Sequence, residues 1–394
     1  MANPVSLQEP PDFSLVLGGP LFQLFRRAHL TGPALELLRR RVVFFVLFCW
    51  APLAILSLAQ SHLFGGTKLS FFSDFVVQAR FLVSLPVLIF AEINVHRRLR
   101  PIVNRFIERH VVIPEEVPKF YAAIESVMRV RNSIAVEAGL FIVVCTLGIW
   151  TWWHYIALDV PSWYASPHNG HMHLTLAGYW LAFVSVPIFQ FILVRWYMRV
   201  LIWFWFLLRI SRLHLNLLPG HPDRAGGLGF LGKSSFAFAP LLFAQGALLA
   251  GQIGSRIFYD GQSLLSFKMK IAGFAGHFVV MILAPLFLFS MQLVRAKRAG
   301  LAEFGAFAAE YVIDFDQKWL RHNAGGEQLL GTADIQSLAD LGNSYSVVGE
   351  MRAIPFGTSD VVRLVAATVA PVAPLLLTIM PLEKLVTEAI KIVF

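Results

Sequence analysis

The feature that most limits what this chain can become is a series of long apolar runs, at about 42–61, 76–95, 134–157, 175–195, 235–256, 271–294 and 363–381. A helix needs roughly 20 apolar residues to cross a hydrocarbon core. In lipid, backbone groups must be satisfied inside helices or a closed barrel. The ~10-residue alternating segments of a barrel do not occur here. The fold class read from the chain is therefore all-α, a polytopic transmembrane helical bundle of about seven spans with interfacial and cytoplasmic helices. Composition agrees: charged residues make up 14%, against about 25% in a soluble domain, too few to coat a water-facing surface.

A net charge of +9 invites a nucleic-acid reading, but the charges sit beside the apolar runs, where they act as orientation signals. Arg26, Arg27, Arg39, Arg40 and Arg41 precede the first run and place the N-terminus in the cytoplasm. Arg97, Arg98, Arg100, Arg105, Arg109, Lys119, Arg129 and Arg131 put the loop after the second run on the same side. The loop 158–174 has no lysine or arginine and is expected outside. Residues 1–41 form a cytoplasmic segment, with no basic region ahead of a short apolar core and so no signal peptide. A six-span core follows over 42–294, with a cytoplasmic loop at 96–133 and a glycine-rich hinge at 219–234. A cytoplasmic helical region spans 295–362. The last span and an interfacial helix, marked by Leu382, Leu385, Val386, Ala389 and Ile390, make up 363–394, with the C-terminus periplasmic.

Within the 96–133 loop, Phe120, Ile124, Val127, Met128 and Arg131 share one helical face, which predicts an amphipathic helix near the membrane. The fourth run, 175 to about 210, is too long for one upright span, so its helix should continue along or below the inner interface. No internal repeat is evident, so an inverted-repeat transporter is not supported. Cys49 and Cys145 both lie in apolar runs and read as reduced, buried thiols.

Three strings carry a family resemblance: His221-Pro222-Asp223-Arg224-Ala225-Gly226-Gly227-Leu228-Gly229-Phe230-Leu231, Leu330 through Ser344, and Val369 through Leu377. With them, most of the chain from the second span onward resembles a family of bacterial multi-pass inner-membrane proteins of no known activity. The resemblance implies a bacterial cytoplasmic membrane and carries over no function.

The hinge also mimics famous motifs. Gly227-x4-Gly232-Lys233-Ser234 fits the P-loop pattern and Gly227-x-Gly229-x-x-Gly232 the dinucleotide fingerprint. Both work only where a strand delivers the glycines to phosphate, and here membrane helices flank them. The expected role is a turn, with glycines allowing positive φ and Pro222 fixing a bend. An acid–base pair of His221 and Asp223 is the alternative that an enzyme reading would need. A headgroup or anion at Arg224, Lys233 and Ser234 is a further option.

Polar groups inside spans are costly and mark candidate sites. These are Arg80, Glu92, Gln190, Gln245, Gln252 and His277, with Asp74 as a partner for Arg80. A salt bridge inside the bundle is the plain account of Glu92 and of Glu137. Gln190, Gln245, Gln252 and His277 are placed for hydrogen bonds between helices. Arg195, Arg199 and Arg209 fall within about an 80° arc at 100° per residue. They predict either snorkelling to anionic headgroups or an anion pathway. Gly246, Ala250 and Gly254, echoed by Ala272 and Gly276, read as close helix packing. His168, His171 and His173, with His154 and Asp159, offer imidazoles to Zn²⁺ or Cu²⁺ in an outer loop, but without the supporting ligands of a built site.

The sequence thus points to a channel or transporter for a small ion or solute, with an anion as one option. The alternatives are a membrane scaffold or lipid-binding partner protein, and a membrane-embedded enzyme using His221 and Asp223. No cofactor and no nucleic acid is implied. The expected partners are the bilayer with its anionic headgroups and a second copy or another membrane protein.

Overall fold

The structure is a computed structural model that describes residues 13–20, 22–23, 37–60, 69–148, 162–168, 171–321, 329 and 331–378. Its helices are α1 (Leu38–Ala59), α2 (Phe75–Glu108), α3 (Val117–Arg131), α4 (Ile134–Thr146), α5 (Leu176–Ile210), α6 (Gly229–Asp260), α7 (Leu264–Leu320), α8 (Ala333–Gly349) and α9 (Thr358–Thr378). All but α3, α4 and α8 are long and apolar enough to cross a membrane. The all-α transmembrane bundle is therefore the architecture, and α4 is the described part of the run expected to make the third span. The interfacial helix expected at 382–391 lies outside the described residues.

The helices alternate in direction. One end of the bundle carries Arg97 to Arg131 and the 219–228 turn and is called the basic end. The opposite end carries a two-stranded hairpin, β1 (Ala165–His168) and β2 (His171–Leu174). Helix α6 is the centre: 67% of its apolar window is buried, against 17% for α1 and for α9. Its small residues explain this. A methyl group on Gly246 would lie 1.9 Å from the Thr368 carbonyl oxygen, and Gly251 meets Phe75 and Ala79. The Gly246–Ala250–Gly254 stripe is thus a packing face against α9 and α2. The expected echo fails, because Ala272 is exposed and Gly276 has open space where a side chain would go. Large apolar residues such as Ile55, Ile134, Leu176 and Val280 point outward, as lipid-facing positions do.

Helix α5 runs from the hairpin end to Ile210, so the helix of the fourth run continues past residue 195 as expected. Two expectations change. Helix α3 does bury Phe120, Ala123, Ile124 and Val127, but against α5 and α2: Phe120 packs on Phe206 at 6.2 Å and on Phe106 at 5.8 Å. Its apolar face therefore meets protein instead of the membrane surface. The 165–174 segment, read as a loop, forms a hairpin whose strands pair Ala165 with Leu174 and His168 with His171.

A local likeness within the chain also emerges. In α2 and α5 a widened π turn, Ala79–Ser84 and Leu181–Ser185, ends on a serine two residues before a proline, Pro86 and Pro187. Proline supplies no N–H to the turn before it, and such single π turns absorb the lost bond. The local strings agree, Val83-Ser84-Leu85-Pro86 with Val184-Ser185-Val186-Pro187. Both serines donate across the bundle, Ser84 to the Ala244 carbonyl at 2.9 Å and Ser185 to the Cys49 carbonyl at 2.8 Å. The preceding helices match too, Phe45-Val46-Leu47-Phe48-Cys49 with Phe141-Ile142-Val143-Val144-Cys145. The described parts of the helix pairs α1–α2 and α4–α5 thus share these local features.

Candidate functional site

Near the basic end, α1, α2, α4 and α5 bring five charged side chains together. Glu92 accepts from Arg41 at 2.6 Å through one oxygen and from Arg199 at 2.8 Å through the other. Glu137 pairs with Arg195 at 2.9 Å. All five are buried or nearly so, with side-chain exposures of 4% to 13%. Their spacing reflects these shared features. Arg41 stands eight residues before Cys49 and Glu137 eight before Cys145. Each reaches the second helix of its own pair, where Glu92 stands eight residues after Ser84 and Arg195 ten residues after Ser185. Arg199 joins the two sets and lies over Trp196 at 4.6 Å. Three arginines and two glutamates leave the cluster with one positive charge (3 − 2 = +1). Cavities of about 30 Å³ and 10 Å³ lie against Arg195 and Arg199.

A far larger space opens beside it. A groove of about 800 Å³ runs between α4 and α5, walled by Phe141, Cys145, Phe183, Val184, Ile188 and Phe191. At its basic end it is walled by Glu137. Phe45 and Ile192 line both this groove and the 10 Å³ cavity that holds Arg41, Glu92, Arg195 and Arg199. The groove is thus apolar along its length and charged where it ends.

The residues expected to form sites are dispersed. Glu92, Arg195 and Arg199 meet in the cluster, so these two arginines turn inward to carboxylates and do not snorkel. Arg209 is exposed and stacks on Trp205 at 5.1 Å. Arg80 lies over Phe189 at 5.8 Å. Asp74, its expected partner, caps α2 by accepting from the Val76 and Val77 backbone and binds Trp163 Nε1 at 3.1 Å. Gln190 packs on Gly148, and Gln245 is buried in α6. Gln252 and His277, expected to bond between helices, are instead exposed on the outer faces of α6 and α7. His277 meets only the edge of Phe278 among described rings, at 5.2 Å. His173 is exposed on β2 opposite Ser166, while the side chains of His168 and His171, and all of His154 and Asp159, lie outside what is described. Among the described residues no three His, Cys, Asp or Glu side chains are grouped to hold a metal.

The glycine-rich hinge holds itself. Asp223 accepts backbone N–H bonds from Ala225 (2.8 Å), Gly227 (3.1 Å) and Gly229 (2.8 Å). His221 Nδ1 lies 2.9 Å from the Asp223 carboxylate and accepts from the Asp223 backbone N–H at 3.2 Å. Partial burial works against the Asp223 charge. The Ala225, Gly229 and Gly227 donors and the His221 ring outweigh it and hold the pKa below the ordinary aspartate value. Gly226 and Gly227 take φ of +62° and +93°, and Arg224 +53°, conformations that glycine adopts freely. Arg224 pairs with Glu350 at 2.8 Å, and its carbonyl accepts from the Arg352 backbone at 2.7 Å. Where a P-loop would hold phosphate, Gly232 faces the Asp360 carboxylate. The Ser234 hydroxyl donates to Leu231 at 2.6 Å, and Lys233 is exposed. Of the groups that the borrowed motifs would need, Gly227, Gly229 and Ser234 are used to fold the turn and Gly232 faces the segment before α9, while Lys233 stays exposed.

Arg41 and Glu137 were not singled out as site residues from sequence, because each looked like an end-of-span charge. The signal that would have found them is their common distance from the two cysteines. Compared with family models, curated proteins and solved structures, the chain matches none.

Proposed function

We propose that this protein binds an anionic amphiphile drawn from the bilayer, its acyl part in the groove between α4 and α5 and its headgroup at the charged cluster. The setting proposed is a bacterial cytoplasmic membrane with the basic end and the N-terminus inside, as the concentration of arginine at that end supports. One observation carries the reading: the groove, within the ~300–1,000 Å³ of ordinary ligand pockets, is walled by Glu137 at its end and shares Phe45 and Ile192 with the cluster. Ionisable groups at such depth are expensive and mark sites in membrane proteins. Among the described side chains of the cluster three arginines face two carboxylates, an excess that favours an anion.

Native mass spectrometry of the purified protein tests this. Phosphatidylglycerol should be retained at least ten-fold more tightly than phosphatidylcholine, and Ile188→Trp, which fills the groove, should remove that preference with the helix content unchanged. Equal retention of both lipids, or a groove-filled variant that behaves like the parent, would sink the reading.

Passage of a small ion is a second reading, favoured by the two small cavities beside Arg195 and Arg199, the larger of which has room for water. It gains nothing from His277, which is exposed on the outer face of α7.

A further inference from the structure

The stretch Phe13-Ser14-Leu15-Val16-Leu17-Gly18-Gly19-Pro20 precedes every helix, yet it lies inside the bundle. Phe13, Ser14, Leu15 and Val16 are 1–3% exposed. Phe13 packs on Phe206 at 5.0 Å and on Trp203 at 5.9 Å. The Ser14 hydroxyl lies 3.0 Å from His96 Nδ1, and Arg131 donates to the Ser14 carbonyl. Gly18 and Gly19 have φ of +124° and +90°. There the chain bends so closely over the guanidinium of Arg131 that a methyl group on Gly18 would lie 2.5 Å from it.

This segment roofs the charged cluster. Leu15 and Gly18 form one wall of the 30 Å³ cavity, whose other walls include Arg131, Glu137, Arg195 and Arg199. Pro20 lines the neighbouring groove beside Glu137. The peptide therefore stands between the arginines and the basic end, and its described contacts include the aromatic packing of Phe13 and the polar contacts of Ser14 with His96 and Arg131.

We propose that Phe13–Pro20 is a displaceable plug, and that lifting it opens Arg131, Arg195 and Arg199 to an oxyanion arriving from water at the basic end. The proposal takes the cluster as the binding end, as the amphiphile reading does, and adds the route by which that end is reached. With the plug seated, a headgroup reaches the cluster only along the groove from the bilayer. With it lifted, the same oxyanion chemistry is reachable from solution.

Access is measurable at Met198, which lines the covered cavity. The full-length protein, with Cys49 and Cys145 replaced by Ala and Met198→Cys introduced, is placed in nanodiscs and treated with a sulfonate-bearing methanethiosulfonate reagent. Labelling is followed by mass spectrometry of the peptide holding position 198. Gly18→Ala, which forces a methyl group into Arg131, should speed labelling at least ten-fold. Ser14→Cys with His96→Cys, oxidised to tie the plug down, should slow labelling below the parent rate, and reductant should restore it. Equal rates in the parent, Gly18→Ala and tied proteins would overturn the plug. If Gly18→Ala does not fold, the tied pair decides alone, an unchanged rate on oxidation counting against the plug. Phosphatidylglycerol retention in the same samples separates the two ideas. Retained lipid with plug-independent labelling ends this proposal only, whereas plug-dependent labelling without lipid preference supports it and ends the amphiphile reading only.

Discussion

Glu92 holds the interior charges together, because both of its oxygens are used, one by each of two arginines on different helices. Replacing a buried ion pair with apolar residues is often harmless, but removing one partner leaves an uncompensated charge and costs about 3–5 kcal/mol. Glu92→Gln should lower stability by about that much, read as a shift in unfolding by SDS in mixed micelles. A loss under about 1 kcal/mol would mean that water or lipid already screens the cluster. Glu92 was legible in the sequence as a costly intramembrane carboxylate. Its partners were not, since Arg41 is 51 residues away and Arg199 is 107 residues away, and no local pattern relates them. The opposite case is His277: an imidazole in an apolar run looks like a site until the structure shows which way the helix face points.

At the scale of elements, apolar runs marked the spans well, while helix length was legible only in part. Helix α7 covers 57 residues, about 85 Å at 1.5 Å per residue, far more than the roughly 30 Å of a hydrocarbon core. Its outer part pairs with α8 beyond the basic end; Arg295, Lys297 and Arg298 mark where the apolar run stops, but the helix does not stop there. Small residues show the same split between pattern and context. Gly246 and Gly276 sit in similar stripes, but only the first faces a neighbouring backbone. Gly246→Val should destabilise by at least the 1–3 kcal/mol typical of overpacking, since its Cβ position is 1.9 Å from the Thr368 oxygen. Gly276→Ala should stay within about 0.5 kcal/mol of the parent. Thermal denaturation of the two variants in detergent checks this, and similar losses for both would contradict the placement of α6 against α9.

For the whole molecule, burial concentrates on α6 and thins toward α8 and the far part of α7, where Phe307, Val312, Ile313 and Leu320 are all at least half exposed. Amide hydrogen exchange tracks such local differences in stability. It should therefore be slowest in α6 and fastest in the α7–α8 arm, and an arm as protected as α6 would show that a partner covers it. The sequence alone determined that this chain is a helical membrane bundle and where its spans begin, because lipid permits few backbone solutions and a span must be apolar along its length. It also determined that the hinge after Pro219 is a turn, which the structure ends at Leu228, just before α6 begins. The rest depended on tertiary structure: which arginines pair with Glu92 and Glu137, the features shared by α1–α2 and α4–α5, the groove that ends on charge, and the burial of Phe13–Pro20. The physical reason is that residues far apart in the chain leave no periodic trace of meeting. Their contacts are set by which helix faces pack, and only the assembled bundle decides that.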